Sequence, residues 1–166
     1  MGSATWAEFE ADAPELARKG RALLYQHGAP LGFLGTVRPD GGPRLHPVCP
    51  VVAEGGLWVY VLRHSPKAAD LRRDRRFALH AFLPEQVDDE FFIRGRAEPL
   101  DPEPGLHEAL VAAAKPASIG SAEEQLFQLR LERVLIATYA YRGQWPPVYK
   151  KWAAGQARTE AGAERS

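Results

Sequence analysis

Apolar residues change their spacing along this chain. Between Trp6 and Leu24 they recur at helical intervals, through Phe9, Leu16 and Leu23, and the run ends at Gly28. Thr5 and Glu8 stand three positions apart at its start, the spacing of a capping box, in which a hydroxyl and a carboxylate each satisfy a backbone N–H of the first turn. Pro14 divides the run. A second helix is predicted to begin with Asp12 as its cap and Pro14 in the first turn, where a missing N–H costs nothing.

From Leu31 the pattern shifts to short runs of β-branched and aromatic residues set between Gly, Pro and Asp clusters. Leu31–Val37, Arg44–Val52 and Leu57–Leu62 are predicted as three strands of an antiparallel meander, since the loops between them are too short for a parallel crossover. Pro43, Pro47 and Pro50 remove ladder donors from the second strand, which is therefore expected at an edge, bulged, or lined up against something other than a strand. Ser65 followed by Pro66 reads as the cap and first residue of a short helix ending near Arg73. Phe77–Phe82 and Phe91–Glu98 follow as strands, the latter with alternating wet and dry positions. Pro102–Ala114 and Ser121–Arg130 are predicted as helices, the second from the capping-box spacing of Ser121 and Glu124, and Val134–Tyr141 as the sixth strand. Residues 153–166 are small and charged without an apolar period and are expected to be disordered. The chain thus divides into one domain, 1–152, and a tail, 153–166. Six strands with short connections and peripheral helices suggest a mainly β fold, an antiparallel barrel, with a sandwich as the alternative.

Charge narrows the partners. Twenty-one Lys and Arg balance 21 Asp and Glu in 166 residues, leaving no global field to gather nucleic acid or anionic lipid, so any anion site must be local. One cysteine, Cys49, permits no internal disulfide or thiolate cluster. With no apolar run long enough to span a membrane and acidic residues near the N-terminus, a cytoplasmic protein is expected. The five histidines show no metal-binding spacing. Cys49 is better read as a small buried hydrophobe than as a nucleophile, and the Arg72–Arg76 run as a solvated helix end rather than a nucleic-acid contact.

The informative stretch is Leu57–Leu71, where a strand delivers the chain into a helix whose start carries Ser65 and Lys67, with Arg63 close by. Unpaired N–H groups, a partial positive charge, a hydroxyl and an ammonium together make a phosphate cradle, against the plainer reading of a capped helix with a solvated lysine. Because Pro66 donates nothing, the amides of Lys67 and Ala68 are the ones expected to be available.

The run from Gly35 to Val48, the segment Leu57-Trp58-Val59-Tyr60 followed by Ser65-Pro66-Lys67 and Leu71-Arg72-Arg73-Asp74, and the strand Phe92-Ile93-Arg94-Gly95-Arg96-Ala97 together resemble the pyridoxamine 5'-phosphate oxidase-like, FMN-binding split-barrel family. The resemblance covers residues 31 to 100. It implies a split-barrel homodimer holding a flavin at the subunit interface: FMN, or alternatively an 8-hydroxy-5-deazaflavin coenzyme. It further implies that Ser65 and Lys67 bind the flavin phosphate, that Tyr60 and Val61 flank it, and that Arg44, His46, Pro47 and Val48 lie along the isoalloxazine or ribityl chain. Where the oxidases often carry arginine between that serine and lysine, this chain has Pro66, so Arg63 or Arg44 would replace the missing donor. Glu90 stands where they often have a glutamine from the second subunit. By the same resemblance Trp152 would be the C-terminal tryptophan that family members place near the flavin, with an apolar strap over a barrel end as its alternative, while Trp145 reads as such a strap.

These features imply an oxidoreductase in which the isoalloxazine exchanges hydride while the protein supplies binding and electrostatics. A deazaflavin-dependent reductase and a non-catalytic flavin- or haem-binding module are the alternatives. The oxidases' C-terminal arginine-x-histidine element is replaced here by Gly155-Gln156-Ala157-Arg158-Thr159-Glu160, so vitamin B6 oxidation is expected to be absent. No nucleic-acid or membrane partner is expected.

Overall fold

A computed structural model of the chain describes residues 2–156. Its elements, in order, are α1 (Trp6–Asp12), α2 (Pro14–Tyr25), β1 (Gly32–Val37), β2 (Pro43–Val48), β3 (Val51–Ala53), β4 (Gly56–Leu62), α3 (Pro66–Arg73), β5 (Arg76–Ala81), β6 (Glu90–Leu100), α4 (Pro104–Ala114), β7 (Glu124–Thr138) and β8 (Val148–Ala153). All strands join one antiparallel sheet in the order β2-β1-β5-β6-β7-β4-β3, with β8 added to β7. The fold is a mainly β split barrel, as expected, with eight strands where six were predicted.

The three prolines of the second predicted strand explain part of the difference. β2 pairs with β1 alone, and the chain then breaks at Cys49-Pro50 and resumes as β3, which pairs with β4. One predicted strand therefore supplies both ends of the sheet, and the gap between them is the split. The further strand is β8, formed by the segment that contains Trp152.

Residues 121–130 are not a helix: 121–123 lie in a turn and 124–130 form the first half of β7. The Glu124 carboxylate accepts hydrogen bonds from the Gly120 and Ser121 amides at 2.7 and 2.9 Å, which closes a turn where a helix was expected to start. Beyond it, Phe127, Leu129 and Leu131 alternate into the core, all with no exposure, and this period of two prevails over the capping signal. At the N-terminus the capping box of Thr5 and Glu8 forms as predicted. Asp12, however, ends α1, and α2 begins after Ala13 with no side-chain cap.

Two apolar layers result. Inside the barrel, Leu34, Leu57, Val59, Val61, Leu79, Ile93, Phe127 and Leu129 meet Trp6 and Phe9 of α1 and Leu24 of α2. On the outer face, Trp58 and Tyr60 pack with Val51 and Leu126 under Leu110 and Ala114 of α4. β4 is thus covered on both sides, which accounts for its unbroken apolar sequence, and each of the larger aliphatic and Phe side chains buried here contributes roughly 1.5–3 kcal/mol. The β6–β7 register shifts between Arg94 and Gly95. A Cβ on Gly95 would lie 1.8 Å from the Arg130 carbonyl oxygen, so only glycine fits at this bulge. Of the predicted tail, Ala153 closes β8 and Ala154 is buried; residues 157–166 lie outside the described residues.

Gly95→Ala is expected to lower stability by about 2 kcal/mol or more through overpacking against backbone. Gly105→Ala, in α4 with nothing within 4 Å of the added carbon, is expected to be neutral or slightly stabilising. Urea unfolding of the two variants side by side checks both.

Candidate functional site

α3 organises the polar end of the barrel. Ser65 caps it in an extended conformation, its Oγ accepting from the Ala68 amide at 3.3 Å, and Pro66 occupies the first position. The Ala68 amide is therefore already used, a correction to the expectation that it is free. The Lys67 amide has no acceptor among the described residues. The helix buries Ala68, Leu71 and, unusually, Asp70, which is 1% exposed. Asp70 Oδ2 accepts from Arg44 Nε at 2.6 Å and from Thr36 Oγ1 at 2.9 Å, while Oδ1 accepts from Arg73 at 3.1 Å. Burial pushes the Asp70 carboxyl up, but these three hydrogen bonds outweigh it and hold the group below the usual aspartate range. Arg44 is fixed in place by this pairing, and so is not a freely adjustable substitute for the donor that Pro66 lacks.

β2 alternates. Leu45 and Pro47 face outward and exposed, Arg44 and His46 are partly buried, and Val48 reaches the barrel core. The Nε2 atom of His46 is buried and has no hydrogen-bond partner. Burial, with the Lys67 ammonium and Arg44 guanidinium close by, lowers the His46 pKa and keeps the ring neutral at pH 7. Lys67 is itself partly buried, and burial lowers its pKa despite the attraction of Glu124. Arg44, His46, Ser65 and Lys67, proposed as one group from sequence, thus share one end of the barrel.

The other expected residues separate from this group to different degrees. Val48 and Val61 belong to the core cluster, leaving only their backbone to offer a ligand. Tyr60 points to the outer face, where its hydroxyl is 2.8 Å from His107 Nδ1 on α4. Cys49 is partly buried, and burial followed by the nearby Glu124 carboxylate pushes its thiol up, consistent with an unreactive side chain. Arg63 is exposed and donates to the Glu124 carbonyl oxygen at 3.1 Å. Trp152 lies opposite Val134 and Glu90 opposite Ala137, toward one end of β7, whereas Leu62, which leads into α3, lies opposite Glu124 at the other. Trp152 packs 4.9 Å from Phe9, its Nε1 buried without a partner. Trp145 is 78% exposed and is no strap.

Asp70 and His107 were missed by sequence reading, and Glu124 was read only as a helix-capping carboxylate. Of the two missed, only Asp70 left a trace, as an acid on the apolar stripe of a helix between Ala68 and Leu71. Two clefts lie away from the group. One, of about 770 Å³, lies between the α1–α2 junction and β8, lined in part by Leu16, Lys151 and Trp152. The other, of about 460 Å³, lies at the far end of α3. Among the described residues no cluster of three metal-ligating side chains occurs, and no helix is long and apolar enough to cross a membrane.

Asp70→Asn removes a buried charge that two guanidiniums depend on, so about 3 kcal/mol of stability should be lost at pH 7. Because the folded pKa of Asp70 lies below its unfolded value, its contribution is complete above about pH 4 and fades as pH falls through the folded pKa. Urea unfolding between pH 7 and pH 3 should therefore show a shallower acid-side loss in the variant than in the wild type.

Comparison with known proteins supplies the relationship. No curated protein matches the chain. Among solved structures, a haem binding protein from Mycobacterium smegmatis superposes with a TM-score of 0.62 at 18% identity, covering 81% of this chain and 57% of that one, so this chain spans little more than half of that protein's length. General Stress Protein 26 from Bacillus anthracis gives 0.57 at 15% identity, covering 81% and 98%. HutZ, the haem storage protein from Vibrio cholerae, gives 0.52 at 14% identity, covering 73% and 90%. At these identities the likeness is one of fold. The sequence profile described as Pyridoxamine 5'-phosphate oxidase matches residues 19–137, from α2 through most of β7. With that match spanning most of the split barrel and the α3 group within it, the chain belongs to the pyridoxamine 5'-phosphate oxidase family.

Proposed function

We propose that this protein is a flavin-dependent oxidoreductase that binds FMN with its phosphate at the start of α3. The observation that carries the reading is the unpartnered, buried Nε2 of His46 beside the partly buried Lys67. A buried polar atom without a partner costs about 1–3 kcal/mol, and a ligand that hydrogen-bonds to it recovers that cost. Ser65 retains a hydroxyl hydrogen to donate, Lys67 offers both its amide and its ammonium, and the partial positive charge of the helix start favours an anion. The residues present therefore fit a phosphate, with Arg63 near enough in sequence to take the part of the donor absent at Pro66. A bound flavin would supply hydride transfer. The chain's own part is to orient the cofactor and screen it from water, and no side chain of the group need serve as a general base.

Trp152 and Glu90 fit this reading when a second copy of the chain presents them, so a homodimer with the cofactor at the interface is part of the proposal. So is a cytoplasmic location, where flavin and reduced nicotinamide nucleotides are both available.

A non-catalytic haem-binding module is the second reading. It is favoured by the same His46, because a neutral imidazole with a free Nε2 is what iron ligation requires, and by the haem proteins among the structural relatives.

Visible absorption of the purified protein, followed by titration with FMN, the deazaflavin coenzyme and haemin, separates these readings. FMN is expected to bind preferentially and to be reduced by NADPH or NADH. Lys67→Ala should weaken FMN binding about 10- to 100-fold, the value of one charge-assisted contact, and Pro66→Arg should strengthen it. FMN affinity unchanged by Ser65→Ala and Lys67→Ala would overturn the flavin reading. A Soret band that His46→Ala abolishes would establish the haem reading instead.

A further inference from the structure

The cleft at the far end of α3 gathers five exposed arginines from separated parts of the chain. Arg38 comes from the β1–β2 turn, Arg73 from the last turn of α3, Arg75 and Arg76 from the entry to β5, and Arg96 from β6, around a volume of about 460 Å³. In a protein with 21 cationic and 21 acidic side chains, such a concentration is local. Structural ion pairing accounts for part of it. Arg73 is held by Asp70, and Arg76 is paired with Asp74 at 2.6 Å, a carboxyl that the Arg76 hydrogen bonds depress to about 2. The remaining pairs are loose: Arg38 meets Asp40 at 3.7 Å and Arg96 meets Glu132 at 3.4 Å, in each case with the guanidinium half exposed. Arg75 has no carboxylate partner among the described residues. Exposed pairs of this kind contribute about 0–1 kcal/mol, so an anion offering bidentate contacts can displace them.

We propose that this cleft binds a pyrophosphate-bearing small molecule, contacted chiefly by Arg38, Arg75 and Arg96. Each guanidinium carries five N–H donors in a planar fork that matches phosphoryl oxygens. The three loosely held forks stand on three separate segments around a cleft of about 460 Å³, several times the volume of one phosphate, so a single phosphoryl group cannot reach all of them at once. Two linked phosphoryl groups use such a ring of donors where one would leave part of it idle. A nucleic acid is the less suitable occupant, because the arginines surround one small cleft and the neutral net charge provides no extended field. The site is separate from the group at Ser65 and Lys67, which lies at the opposite end of α3, and does not depend on the flavin reading.

Calorimetric titration of the full-length protein with inorganic pyrophosphate at low ionic strength tests the proposal, with orthophosphate and a single-stranded oligonucleotide as the other arms. Pyrophosphate should bind at least tenfold more tightly than orthophosphate. Arg75→Ala and Arg38→Ala should each weaken it about tenfold, Arg75→Lys should fall between, and Lys67→Ala should leave it unchanged. Both arginines are exposed surface residues, and matching circular dichroism confirms that the variants are folded. Absence of binding, binding indifferent to Arg75→Ala and Arg38→Ala, loss of binding in Lys67→Ala alone, or oligonucleotide binding that pyrophosphate does not displace would each overturn it.

Discussion

A buried aspartate holds the polar end of this barrel together. Asp70 is the sole buried carboxylate among the described residues, and its three hydrogen bonds join three elements: Thr36 of β1, Arg44 of β2 and Arg73 of α3 itself. Ionic groups are expensive to remove from water, and such a cluster persists only when every member is satisfied. Satisfying it ties α3 to β1 and β2. With Ala68 and Leu71 of the same helix seated in the apolar core, the aspartate helps hold Ser65 and Lys67 at the same end of the barrel as His46.

The core contributes rigidity instead. β4 is packed on both faces, with Val59 and Val61 inward and Trp58 and Tyr60 under α4. The strand leading into α3 therefore cannot rotate without opening one apolar layer or the other. Tyr60 adds a polar tie, through its hydroxyl and His107, between that strand and the helix outside it. A ligand contacting the start of α3 meets a surface that is already positioned, and pre-organisation of this kind reduces the ordering cost of binding.

Much of this was legible in the sequence, because the signals were local. Pro43, Pro47 and Pro50 marked an edge strand, Ser65-Pro66 marked a helix start, and Thr5 with Glu8 marked a capping box, each through a donor or acceptor whose needs are met within a few residues. Reading failed where one local signal had two possible outcomes. Glu124 placed three residues after Ser121 satisfies backbone amides equally well at a helix start or in a turn, and only the alternation of Phe127, Leu129 and Leu131 decides between them. What could not be read was assembly across the chain. Asp70, His107 and the arginines around the far cleft acquire their surroundings from elements distant in sequence, and Trp152 was placed by its pairing with β7 rather than by its own residue type.

The break at Cys49-Pro50 has a mechanical consequence. β2 and β3 belong to opposite margins of the sheet, yet only two residues separate them. Sliding β2 by one position along β1 would turn its inward side chains outward, and the short tether would drag β3 against β4 at the same time. The two margins are therefore locked in phase, and the width of the gap between them is set by a covalent hinge instead of by side-chain packing across it.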